Sequence, residues 1–270
     1  MTGDSAGASA DPLNDNFQDA IVISEPLPYA NAQSTIGATS QPGESAASAC
    51  GGTDKASVWY TFTPRDFGPP FSSEGASKNL LATTLGSDYD TELSVYRGIS
   101  LDTLEPIRCS TDTFDLTSSV TFEPWAGDTY YFLVDGHGGA TGELVFSLSL
   151  APPPLELGFV QFGEGTVDPK SGAATISGIV LCSGPASLTL RIELEQERGR
   201  KSVYGVTLTS IPECDGQFPF SVRVEAGRPG FKAGLVRLTE SFFGWDLRTG
   251  LFVAAGASGL VQLNLEKQGS

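Results

Sequence analysis

The stretch "GELVFSLSLAPPPLELGF", Gly142–Phe159, decides how this 270-residue chain is built. Its first part, Glu143–Leu150, alternates polar and apolar residues, with Leu144, Phe146 and Leu148 falling on one side. Successive side chains of an extended strand point to opposite faces, so this is the pattern of a half-buried strand. The chain then reads APPP. Proline has no amide hydrogen to give to a ladder, so the run ends one sheet and serves as a short stiff linker. Strand-like sequence starts again beyond it. The reading is all-β: two β-sandwich domains in tandem, jelly-roll-like over 13–150 and immunoglobulin-like over 156–270, joined by a Pro-rich linker at 151–155.

Downstream of the linker, strand and turn patterns repeat. "AATISGIVLCSG" reads as a strand with a glycine interruption. "ASLTLRIELEQ" places Leu188, Leu190, Ile192 and Leu194 on one face, and "KSVYGVTLTS", "FPFSVRVEA", "KAGLVRLTESFF" and "LVQLNLE" follow. Seven or so short strands separated by turns describe a sandwich. Upstream, "GSDYDTELSVYRG", Gly86–Gly98, is a strand with Leu93 and Val95 on one face and two aspartates, Asp88 and Asp90, at its mouth. The polar, small-residue start "MTGDSAGASADP", residues 1–12, reads as disordered.

Abundant Gly and Pro, together with frequent β-branched and aromatic residues, agree with β structure. No apolar run approaches the roughly 18 residues a membrane span requires, so membrane insertion is not expected. Residues 1–150 carry 20 Asp and Glu against 5 Lys and Arg, and residues 151–270 carry 12 against 11, which together make the net charge of −16. So acidic a first half argues against nucleic acid or an anionic membrane as partner. The four cysteines fall as Cys50 and Cys109 in the first half and Cys182 and Cys214 in the second, with no CxxC. An even count in an all-β chain predicts one disulfide per domain, Cys50–Cys109 and Cys182–Cys214, the second pinning two layers, and an oxidising compartment. The first residues do not read as a signal peptide, and with Met1 the only methionine the expectation is a mature or truncated secreted chain.

Five segments of the first half occur in a telling order: "NDNFQDA" from Asn14, "GATSQPGES" from Gly37, "SVWYTFTP" from Ser57, "GSDYDTELSVYRG" from Gly86, and the run from Ser118 through "EPWAGDTYYFLVDGHGG" to "GELVFSL". Over residues 14–150 the chain resembles the bacterial pre-peptidase C-terminal domain, a β-sandwich appended to exported proteins. The resemblance implies export, a jelly-roll-like fold, a binding, stabilising or targeting role rather than catalysis, and in several relatives a calcium ion. The chain departs from the family where an acidic "NDD" is common: it has "CSTD", Cys109–Asp112. The second half resembles no specific family.

Calcium takes six to eight oxygens from carboxylates, carbonyls and water. Asp15, Glu44, Asp88, Asp90 and Asp135 stand at strand ends and glycine-rich turns, and are the candidate ligands. A shared cation would offset the repulsion of Asp88 and Asp90; the alternative is that each acid holds its own turn or faces water. For sugar binding, flat exposed aromatics stack on pyranose rings. Trp125, in the turn "EPWAGD", is the foremost candidate, with Tyr89 and the glycine-turn residue His137 beside it. In "SVWYTF", one of the two alternating sets must be core.

No GxSxG elbow, phosphate loop or EF-hand spacing is present, and no carboxylate pair stands out, so the chain is read as a non-enzyme. Three classes of function follow. The first is a non-catalytic extracellular or cell-surface module for adhesion, carbohydrate or substrate targeting, its partner a polysaccharide or protein surface. The second is a structural subunit of a surface layer or filament that self-associates through strands. The third is a hydrolase fragment.

Overall fold

The computed structural model describes residues 11–44, 50, 56–65, 79–111, 116–161 and 164–266. The expected disorder of 1–12 falls almost wholly outside them, as does Asp112. The chain divides into two units, Met1–Pro152 and Pro153–Ser270. Among the described residues all regular structure beyond three short 3-10 turns is strand.

Among the described residues of the first unit nine strands form two sheets. They are β1 (Ile21–Ile23), β2 (Tyr29–Ser34), β3 (Val58–Phe62), β4 (Leu80–Thr83), β5 (Thr91–Arg97), β6 (Glu105–Thr111), β7 (Ser119–Phe122), β8 (Tyr130–Gly136) and β9 (Glu143–Leu150). One sheet runs β1-β3-β8-β5-β6 and the other β2-β9-β4-β7. All pairings are antiparallel except β1 with β3. The alternation read in "ELVFSLSL" delivers Leu144, Phe146 and Leu148 into the space between the sheets, where they meet Val58, Tyr60, Leu93, Phe132 and Val134. Tyr60 and Phe146 stack there, centroids 4.2 Å apart.

The "SVWYTF" strand is not one-sided. Val58, Tyr60 and Phe62 face the inter-sheet core, while Trp59 joins Tyr96 and Leu133 in a second cluster on the other face. Phe17, Leu101 and Leu104 cover that cluster. Strands β3, β5 and β8 are therefore buried on both faces, which a period-two pattern cannot announce.

The second unit has six strands: β10 (Leu157–Gln161), β11 (Gly165–Val167), β12 (Ala174–Arg198), β13 (Lys201–Val224), β14 (Gly234–Asp246) and β15 (Phe252–Leu265). The expected short strands merge. "AATISGIVLCSG" and "ASLTLRIELEQ" are one 25-residue strand, β12, and its hairpin partner β13 runs 24 residues. Along one edge β12 pairs with β13 throughout; along the other it takes β11, then β10, then β14. Strand β14 pairs with β15, which returns parallel to β11, so the sheet rolls closed through β12 around Ile176, Leu190, Ile192, Leu238, Phe242 and Leu263.

Both disulfides form, with Cα atoms 5.7 Å apart for Cys50–Cys109 and 6.0 Å for Cys182–Cys214. The second does not pin two layers as expected. Register shifts flank Ala186, where Ser183–Pro185 is absorbed as an irregularity. Cys182 on β12 and Cys214 on β13 staple neighbouring strands at that bend. Proline and glycine there disturb the ladder without ending it, as β-bulges do.

Candidate functional site

Trp125 stands in the turn between β7 and β8, and its side chain projects to solvent with 55% of the residue exposed. Its backbone is clamped. The Trp125 amide donates to the buried Tyr130 hydroxyl at 2.9 Å, its carbonyl accepts from Asp128 N at 3.3 Å, and Gly127 N donates to Pro64 O at 2.9 Å. An exposed indole on a fixed turn keeps a flat apolar face available at little ordering cost, the property that stacking on a sugar ring uses. The local sequence explains the display: Pro124 directs the chain into the turn, and Tyr130, the first residue of β8, ties it from below.

The other aromatic candidate is a correction. Tyr89 is 6% exposed and belongs to the inter-sheet core, so it offers no platform to a ligand. What buries it is remote in sequence. Gly142 comes so close that a side chain there would collide with Asp88 Oδ1 and the Tyr89 ring, at 2.2 and 2.9 Å from the added carbon. The Tyr89 hydroxyl has no hydrogen-bond partner of good geometry. Thr35 lies close enough to draw its pKa down, but the Thr35 hydroxyl donates to Gly142 O and accepts from Gly142 N. Burial, with Asp135 and Asp88 nearby, pushes the phenol up to about 12.

Around that phenol the start of β5 and the end of β8 collect acids. Asp88 Oδ1 accepts from Glu143 N at 2.8 Å, and the Asp90 carbonyl accepts from His137 N at 3.0 Å. Glu92 and Asp135 are direct cross-strand partners, both buried. Like charges so placed repel. One relief is visible: Nδ1 of the exposed His137 lies 2.8 Å from Glu92 Oε1. Glu92 was missed in the sequence; the signal was its position two residues beyond Asp90, hence on the same strand face.

Asp15 and Glu44 lie in a different network, where protein donors occupy them. Asp15 accepts from the Thr39 amide and hydroxyl, each at 2.6 Å. Glu44, fully buried, accepts from Trp59 Nε1 at 2.7 Å, Ser57 Oγ at 2.8 Å, Gln41 Nε2 at 3.0 Å and Gln41 N at 3.1 Å. Burial raises its pKa, and those four donors act against the rise. Asp15 ties the N-terminal segment to Thr39 and Glu44 ties its loop to Trp59 of β3, and both have little left for an ion. The five candidate calcium ligands are thus divided between two places. Among the described residues no three His, Cys, Asp or Glu side chains stand close enough together to hold a metal. Among the same residues no helix is long and apolar enough to cross a membrane.

No family model matches the chain, and neither does any curated protein. Solved structures give partial matches. A β-glucuronidase of Bacteroides uniformis aligns at 10% identity over 76% of this chain and 26% of its own, with a TM-score of 0.21. The β-glucuronidase of Parabacteroides merdae aligns at 8% over 78% and 28%, TM-score 0.25. The Endo-D glycoside hydrolase domain of Streptococcus pneumoniae R6 aligns at 10% over 87% and 37%, TM-score 0.24. The chain spans well under half the length of each, and scores this low carry no information about function.

Proposed function

We propose that this chain is a non-catalytic extracellular binding module, of the kind the resemblance to the pre-peptidase C-terminal domain implies, which directs a secreted or cell-surface protein to carbohydrate. The observation that carries the reading is Trp125, an exposed indole on a turn locked by Tyr130, Asp128 and Pro64. The two disulfides support an oxidising environment. A glycan array probed with the full chain and with Trp125→Ala tests it. Removal of one stacking platform is expected to weaken binding by roughly ten- to a hundredfold with the melting temperature unchanged. Equal binding by the variant, or a blank array, overturns the reading.

Calcium forms part of the proposal for the first unit. Its place would be the β5–β8 end, where an ion would have to draw Asp88, Asp90 and Asp135 together, rather than the donor-filled Asp15 and Glu44. A second reading, assembly through strands, is favoured by β13. Among the described residues its outer edge makes one isolated bridge, Gly205 with Ala226, and it exposes Tyr204, Val206 and Leu208.

A further inference from the structure

The second unit holds a cavity of about 440 Å³, within the size range of small-ligand sites. Val167 and Phe231 close its base as core residues, almost wholly buried, and the exposed Leu265 supplies an apolar wall at one side. Three cations line it: Lys170, Arg198 and Lys232. Among the described residues no acid lines it, in a chain that carries twice as many acids as bases.

The acids next in sequence to lining residues are engaged with other groups. Asp168 accepts from Lys170 N at 2.8 Å and Ser171 Oγ at 2.7 Å, and Arg223 Nη2 stands 3.4 Å away. Glu266 turns to the Thr166 hydroxyl. The three cations therefore have no acidic partner among the lining side chains, which favours an anionic ligand.

The walls are fixed before any ligand arrives. Phe231 N donates to Gly172 O at 2.8 Å, and Gly172 and Gly230 pack backbone to backbone so closely that a side chain on either would collide. Gln196 clamps both the amide and the carbonyl of Lys232, at 3.0 and 2.8 Å. Arg198 Nη1 donates to Gly230 O at 3.2 Å; that bond orients a guanidinium with five donors and uses one of them. Preorganised walls lower the cost of binding. Because the loop backbone is tied to itself and to Gln196, it offers poor footing to an extended peptide, which would dock by strand pairing.

An apolar wall beside three cations suits a ligand with one hydrophobic face and an anionic group. A long polyanion is disfavoured by the net charge of −16. We propose that this cavity binds a single carboxylate-bearing sugar residue, its apolar face against the exposed Leu265 and its carboxylate between Arg198 and the two lysines. The site deepens the carbohydrate-directed reading but stands on second-unit geometry alone, so it survives if Trp125 proves idle.

Titration calorimetry on the full chain at low ionic strength tests it. The probes are a disaccharide ending in glucuronic acid, the same disaccharide ending in glucose, inorganic sulfate, and a short peptide ending in glutamate. The acidic disaccharide is expected to bind at least tenfold more tightly than the other three. Lys170→Gln and Lys232→Gln, both exposed and outside the core, are each expected to weaken it roughly threefold, and together about tenfold. Lys201→Gln, outside the lining, changes nothing. Equal affinity for the neutral disaccharide, absence of binding, or indifference to the lysine changes overturns the proposal. Sulfate or peptide binding as tightly as the acidic disaccharide also overturns it, the first in favour of a bare anion site, the second of an acidic chain end. The titrations are repeated in the Trp125→Ala background, which removes the first-unit platform: there Lys170→Gln and Lys232→Gln must still weaken binding of the acidic disaccharide, and binding that disappears with Trp125 overturns the assignment to this cavity.

Discussion

Glu240 faces into the second unit from β14, 6% exposed, between the cross-strand partners Ile192 and Ala257. Burial raises its carboxyl pKa, against which only a hydrogen bond from its own backbone acts. A raised acid means the folded state holds the proton where the unfolded chain has lost it. Stability therefore falls as pH rises from the ordinary carboxylate range through the raised value, and the group's full cost is present above it. Glu240→Leu is expected to raise the second unit's melting temperature at pH 7 by about 2–5 °C and to flatten its pH dependence from about pH 4.5 upward. A variant as pH-dependent as the parent would assign the slope to other groups. At this scale the sequence is legible where a side chain's environment is local. Trp125 could be placed outside from Pro124 and Gly127 alone. Tyr89 could not be placed inside, because Gly142, more than fifty residues away, supplies the wall that buries it. The same holds for Glu44, whose acid reads as an ion ligand until Trp59 and Ser57 are brought to it.

Among the elements, alternation located strands well and their ends poorly. Leu188, Leu190, Ile192 and Leu194 all point inward as the pattern requires. The error lay at "CSGP" and "PECDG", which carry turn chemistry yet stand inside β12 and β13. Local propensity says turn there; the two long strands, paired on both sides of the bend and tied by Cys182–Cys214, override it. The pairing of β13 has a consequence at its other edge. A strand of 24 residues bonded along one side presents free amides and carbonyls to any second strand, and the apolar side chains of Tyr204, Val206 and Leu208 add contact area. If self-assembly is a function of the chain, sedimentation velocity will show species growing with concentration, and Leu208→Lys will return them to monomer, since an edge lysine must shed its water to be covered. A parent that stays monomeric to about millimolar concentration removes the structural-subunit reading.

Over the molecule as a whole, charge is the strongest asymmetry, and it was fully legible: 20 acids against 5 bases before residue 151, 12 against 11 after it. The first unit consequently repels itself, and anything that lowers the field stabilises it. Two causes must be separated. Monovalent salt screens all the carboxylates, over about 10 Å at 0.1 M ionic strength. Calcium at a site acts on a few of them and follows mass action. Melting the chain in about 10 mM calcium chloride and in sodium chloride of equal ionic strength distinguishes them, because screening alone gives the same curve in both. With Asp88, Asp90 and Asp135 as ligands, calcium is expected to raise the first unit's transition by roughly 3–6 °C over the sodium control, EDTA to reverse it, and Asp90→Asn to abolish the difference while keeping the sodium curve. The second unit, near neutrality and without those acids, serves as the internal reference and should move little in either salt. Superimposed curves at matched ionic strength would mean that the crowded acids of β5 and β8 are managed by His137, backbone donors and water, and that the first unit owes its stability to its doubly covered strands and the Cys50–Cys109 staple.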